Sequence, residues 1–118
     1  MSVHARLGIA VIVVSLIGGV LALVARSRPD LIPTVRVFVR LCAATAGVEA
    51  VIGLIMLATG QRPAEAIHFF YGAATVVPIP AAELLARRVR PRDEMLYLLA
   101  GAVAMVLFGI RAVTTGNS

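Results

Sequence analysis

The stretch ARLGIAVIVVSLIGGVLALVA at residues 5–25, with the RSRPD that follows it at residues 26–30, decides the fold. Residues 7–25 carry no charge. A helix needs about 20 apolar residues to cross the hydrocarbon of a bilayer. Arg26, Arg28 and Pro29 then end the helix and turn the chain at a water interface. The same grammar recurs outward from there. Residues 35–59, 64–86 and 95–113 are apolar stretches of spanning length, separated by short polar segments. The chain therefore reads as one all-α polytopic transmembrane domain over residues 1–118, with four spans. In lipid every backbone polar group must be satisfied within its own segment, so the spans must be helices. Short loops force antiparallel neighbours, which makes an up-down four-helix bundle the simplest arrangement.

Composition agrees. Of 118 residues 60% are hydrophobic and only 14% charged, and the mean hydropathy is +0.97. A soluble domain of this size needs far more polar surface. Four spans leave no room for a soluble catalytic domain, so any chemistry must lie between the helices or at their ends.

The net charge of +5 marks topology rather than nucleic-acid binding. There is no lysine, and eight arginines (Arg26, Arg28, Arg36, Arg40, Arg87, Arg88, Arg90 and Arg92) fall in or beside the first and third loops. Only Arg6, Arg62 and Arg111 fall at the opposite ends. The positive-inside rule puts loops 26–34 and 87–94 in the cytoplasm and both termini outside. The all-arginine bias suggests a GC-rich genome and a bacterial cytoplasmic (inner) membrane. The first stretch reads as a span rather than a cleavable signal, because it is long and its arginines follow it. The single Cys42 excludes an intramolecular disulfide and a cysteine-based metal site, and reads as a small buried apolar residue.

The segment edges carry local signals. Ile32-Pro33 opens the second span, with proline where a missing N–H costs little. Pro78 and Pro80 interrupt the third span and should kink it or break its hydrogen bonding. Residues 60–63 read as a tight outer loop and residues 115–118 as a polar tail. His4-x-x-x-Gly8 opens the first span and His68-x-x-x-Gly72 the third, and RxRP closes both. The second span ends in Thr59-Gly60 and the fourth in Thr115-Gly116. This reads equally as a parallel two-plus-two repeat or as inexpensive patterns at membrane edges.

The two histidines are the most informative residues. Their spans run parallel, so His4 and His68 lie on the same outer side at similar depth. Gly8 and Gly72 follow one turn later on the same faces, leaving room for a flat macrocycle beside each imidazole. Facing histidines on two helices are a recurrent way to hold haem iron. Arg6, Arg62 and Arg111 stand on that side and suit haem propionates through their forked donors. The competing expectation is two interfacial histidines without a cofactor. Glu49 sits mid-span, where a carboxylate is costly and is either functional or bonded across helices. Glu83 is expected to pair with Arg87 one turn on.

Glu49-x-x-Ile52-Gly53, Gly60-x-x-Pro63 and His68 resemble haem A synthase, a family of bis-His haem-binding four-helix membrane bundles. His4-Ala5-Arg6-Leu7-Gly8 is similar to the opening motif of that family's preceding span. The resemblance covers roughly residues 4–75 and maps the family's paired ligands onto His4 and His68. The chain has half the family's length, and Glu49 stands where the family has glutamine. What the resemblance implies is a single haem b bundle for electron transfer or haem carriage, not haem oxidation. The chain is also similar to small four-helix membrane proteins of GC-rich bacteria, which adds no function.

Three functions follow as expectations. The first is a non-catalytic membrane haem protein exchanging electrons with a quinone or another membrane donor. The second is a cofactor-free accessory subunit of a larger respiratory or photosynthetic complex. The third is a small proton-coupled transporter built on Glu49. The partners expected are the lipid bilayer and other membrane subunits, with no nucleic acid.

Overall fold

The computed structural model describes residues 3–60 and 66–117. All of its regular elements are helices: α1 (Val3–Ala25), a 3-10 turn (Pro29–Leu31), α2 (Ile32–Ala58), α3 (His68–Val76), α4 (Pro78–Leu85) and α5 (Pro91–Asn117). The helices α1, α2 and α5 are long and apolar enough to cross a membrane. The longest dimension of the molecule is 47 Å, against about 40–45 Å for a bilayer with its headgroups. Leu16, Leu54 and Leu85 are 58%, 64% and 68% exposed. Leucines turned outward on three different helices suit a lipid surface and would be a liability in water.

The helix ends follow from local chemistry. Proline occupies the start of both α2 and α4, where its fixed φ is already helical and its missing donor is not needed. Asp93 and Glu94 lie in the first turn of α5, against the positive end of its dipole. At the far end of α2, Gly60 takes φ +92, a left-handed conformation that only glycine adopts without strain.

The expected third span is broken. Pro78 has no N–H to give, and the Val77 amide closes a tight turn onto the Ala74 carbonyl at 3.4 Å. The helical ladder resumes where the Ala81 amide reaches the Val77 carbonyl at 3.0 Å. Each piece, α3 with nine residues and α4 with eight, is too short to span alone. Boundaries also move at the other elements. The helix α2 begins at Ile32, where the Ile32-Pro33 opening is expected, ahead of the apolar stretch at 35–59. The helix α5 covers Pro91–Asn117, so most of the expected inner turn and of the polar tail is helical.

Residue pairs give the directions of packing. Along α1 and α5, Gly8 faces Val113, Ile12 faces Gly109, and Gly19 faces Leu99 and Ala102, so the two are antiparallel. Along α1 and α2, Gly18 faces Phe38 and Gly53 faces His4, and the Cys42 thiol donates to the Val14 carbonyl at 3.4 Å. On α5, Gly116 faces His68 while Gly101 faces Pro78 and Ile79, so α3 and α4 run with α1. The core of Val11, Val35, Val39, Ile79, Met95, Leu98 and Met105 fills the space between these helices. Cys42 is buried among them, as expected of a small apolar residue.

Charged residues gather at one end and pair across helices. Arg36 of α2 grips Glu94 of α5, with Nη2 donating to Oε1 at 2.6 Å and Nε to Oε2 at 3.0 Å. Arg40 donates to Glu83 at 2.9 Å. Glu83 thus reaches across to α2 instead of pairing with Arg87 on its own helix. The side chain has a choice of cations there, and the α2 guanidinium is already held at that height by the helix packing.

Candidate functional site

At the opposite end His4 and His68 meet. They stand on α1 and α3, the two elements that run the same way, and their ring centres lie 5.9 Å apart with the planes at 85°. A cavity of about 320 Å³ opens beside them, lined by both histidines, Glu49, Gly72, Met56 and Phe69 among others. The convergence depends on register. Antiparallel packing on α5 brings the first turns of α1 and α3 to the same height, as the matched histidine positions lead one to expect.

The two imidazoles are held differently. The His68 Nδ1 lies 2.6 Å from the Ala112 carbonyl, which fixes Nδ1 as its donor nitrogen and leaves Nε2 to act on a ligand. Gly116 lies against the same ring, so close that a Cβ there would come within 2.8 Å of Cε1. Thr115 is 2% exposed and donates to the Arg111 carbonyl at 2.7 Å, with its Oγ1 3.5 Å from His68 Nδ1. His68 is boxed by backbone.

His4 has a looser mount. Its Nδ1 lies 2.8 Å from Glu49 Oε1, with the side chains 20% and 15% exposed. The approach is too oblique for a hydrogen bond, and His4 Nδ1 and Glu49 Oε2 are both left without a hydrogen-bond partner. Buried polar atoms in that condition are rare and call for an explanation. The mid-span carboxyl anticipated at Glu49 thus stands directly against the first histidine.

The glycines divide. Gly72 lines the cavity and has nothing within 4 Å of the place where its Cβ would be, so room for a flat ligand exists there. Gly8 also lines the cavity, but Val113 comes within 3.1 Å and Glu49 Oε1 within 3.4 Å of its Cβ position. The space expected at Gly8 is filled by the neighbouring helices. Of the three arginines, Arg111 is turned onto the Tyr71 ring, 5.4 Å from its centre. Arg6 is exposed on α1, and neither lines the cavity. Arg62 lies outside the described residues.

Sequence reasoning missed Ala112, Thr115, Gly116 and Gly53. The matched Thr-Gly endings of the second and fourth spans were the only signal for Thr115 and Gly116, and they point to no histidine. Gly53 stands in the sequence only as part of the Glu49-x-x-Ile52-Gly53 motif, which gives no hint that it admits the His4 ring, whose Cε1 would be 3.2 Å from a Cβ there.

Two metal–imidazole bonds of about 2 Å each, with each ring centre about 1 Å behind its nitrogen, put the centroids roughly 6 Å apart. The observed 5.9 Å is close to that spacing. Among the described residues no group of three or more His, Cys, Asp and Glu side chains is placed to hold a metal ion. The cavity lies near the lower end of the about 300–1,000 Å³ that small-ligand sites occupy. A porphyrin enters only if the helices around the cavity open further. No family model, curated protein or solved structure matches this chain.

Proposed function

We propose that this chain is a four-span bundle of a bacterial cytoplasmic membrane, with the broken α3–α4 pair as its third span and both termini outside, that binds one b-type haem through His4 and His68. The observation that carries the reading is the meeting of the two histidines in one cavity, with ring centres 5.9 Å apart, where the two imidazoles would hold the haem between them. A ligating histidine almost always gives its other nitrogen to a carbonyl or a carboxylate, which fixes the ring and raises its basicity. Ala112 takes that place for His68, and Glu49 stands 2.8 Å from His4 Nδ1 without the alignment of a hydrogen bond. Haem, when bound, supplies one-electron chemistry. The protein's own part is to aim two nitrogens, exclude water with apolar walls and present an edge to the membrane.

The arginine distribution supports the orientation. Four acidic residues at the arginine-rich end each have one arginine partner: Asp30 with Arg28, Glu94 with Arg36, Glu83 with Arg40, and Asp93 with Arg90. Arg26, Arg87, Arg88 and Arg92 remain as net positive charge on that side, the bias expected of a cytoplasmic face.

A second reading, a cofactor-free accessory subunit, is favoured by the narrow cavity and by the absence of Arg6 and Arg111 from its lining. An absorption spectrum of detergent-purified protein, expressed with haem available, separates the two. The haem reading expects a sharp reduced α-band at one haem per chain, lost in His68→Ala. A flat spectrum from folded helical protein retires it and leaves the accessory subunit.

A further inference from the structure

A larger groove of about 650 Å³ runs between the α3–α4 pair and α5, away from the histidines. It extends from Phe70 and Phe108 near the histidine end to Leu85 and Tyr97 near the arginine-rich end, over a floor of alanines and Gly101. Val77 and Leu85 on its rim are 60% and 68% exposed, so it opens toward lipid. Residues 70–85 climb about 1.5 Å each, which makes the groove roughly 20 Å long and roughly 30 Å² in section. A helix about 10 Å across needs roughly 80 Å². The groove therefore suits an extended hydrocarbon chain and is too narrow for a helix. Residues 86–90, the link from α4 to α5, close its arginine-rich end. That link and the first turn of α5 carry Arg87, Arg88, Arg90 and Arg92 against Asp93 and Glu94. Glu94 is held by Arg36 and Asp93 by Arg90, which leaves Arg87, Arg88 and Arg92 exposed with their charge unopposed. Arg88 lies one turn beyond Leu85, at the mouth of the groove. Tyr97, alone among the described lining residues in having a polar side chain, stands at the same end.

We propose that this groove seats one acyl chain of an anionic phospholipid, with the phosphate held at its mouth by Arg88 and the flanking Arg87 and Arg92. The proposal is independent of haem and needs only that the helices cross a membrane. The apolar walls take the chain, and the guanidinium groups donate to the phosphate oxygens. Basic clusters beside gaps between transmembrane helices hold anionic headgroups in this way. A zwitterionic headgroup brings its own ammonium toward the arginines and loses that gain.

The test is native mass spectrometry of the full-length protein in detergent, titrated with phosphatidylglycerol or with phosphatidylcholine of the same chains. The expected result is one phosphatidylglycerol retained per chain, about tenfold tighter than phosphatidylcholine. Arg87→Gln with Arg88→Gln should weaken phosphatidylglycerol by at least about tenfold, at about fivefold per arginine, and leave phosphatidylcholine unchanged. Ala100→Phe fills the groove from the exposed side of α5 and should weaken phosphatidylglycerol by about tenfold, the cost of overfilling a packed seat. Leu23→Phe, on the outward face of α1, should bind as wild type does. Glycerol phosphate, the headgroup without chains, should not displace the lipid. Equal retention of the two lipids overturns the proposal, and so does an Ala100→Phe that binds like wild type. Displacement by glycerol phosphate also overturns it, because the site would then hold an anion without a chain. A stable dimer that keeps lipid out would give the groove to a second copy and overturn it as well. All of these outcomes leave the haem reading where it stands.

Discussion

The two ends of the molecule handle polarity in opposite ways. At the arginine-rich end every acidic residue has a cation, and the link between α2 and α5 is a two-pronged grip of Arg36 on Glu94. At the histidine end three ionisable side chains share a cavity, and two of their buried atoms have no hydrogen-bond partner. Most polar groups at the arginine-rich end are satisfied, with the buried Arg26 Nε the exception, because an unmet one costs about 1–3 kcal/mol. Groups kept unmet in an apolar cavity are better explained by something they bind. The dense charge therefore reads as architecture and the sparse charge as function.

The largest expected effect lies in the packing that carries the arginine-rich half. A Cβ on Gly101 would stand 3.0 Å from the Pro78 carbonyl oxygen and 3.1 Å from Ile79 Cδ1. The nearest atom is a backbone oxygen at the start of α4, so it cannot swing aside as the end of a side chain could. Gly101→Leu should destabilise the bundle by about 2–3 kcal/mol, read as a lower detergent melting midpoint. If it unfolds no more readily than wild type, the α4–α5 contact is not fixed as described.

Removing the grip comes next. Arg36→Ala leaves Glu94, whose side chain is 16% exposed, without its partner, at a cost of about 1–2 kcal/mol. Adding Glu94→Gln should recover part of that loss, since no charge is then stranded. A double variant worse than the single would mean that Arg36 packs rather than pairs. Arg40→Ala should cost less than about 1 kcal/mol, because its side chain is 64% exposed and water already competes for Glu83. Equal costs at Arg36 and Arg40 would erase the distinction between a half-buried and an exposed pair.

The helices were legible in the sequence, and so was the break at Pro78, because hydropathy and a missing N–H act within one segment. The shared height of His4 and His68 was legible too, since both open spans of the same direction. The surroundings of the histidines were not. Gly8 does lie one turn beyond His4 on its helix, yet whether that face is open depends on Val113 of α5, which no spacing within α1 reveals. Thr115 and Gly116 looked like a polar tail because threonine and glycine are common at chain ends. Only the register of α5 against α3 turns them into the wall behind His68. Arg111 offered a guanidinium on the right side of the membrane, and Tyr71 captured it. In each instance the residue type was readable and its partner was not, because the partner is set by the register between helices.

The smallest expected effect is the sharpest test of the contrast between the ends. Glu49→Gln preserves shape and removes the carboxyl that stands 2.8 Å from His4 Nδ1. If Glu49 were glue of the kind Arg36 and Glu94 provide, losing it would cost about 1 kcal/mol, the usual worth of an interhelical polar contact in a membrane. Its contact with His4 is oblique and its Oε2 is unmet, so the structure gains little from it. The replacement should leave thermal unfolding of the haem-free protein within about 0.5 kcal/mol of wild type, or raise it slightly by ending the burial of a carboxylate in lipid. A loss as large as that of Arg36→Ala would make the histidine end another structural clamp and remove the reason to look for a ligand there. A neutral result in the haem-free protein, paired with a changed spectrum in the loaded one, would assign Glu49 to the aim of His4 and to nothing else in the fold.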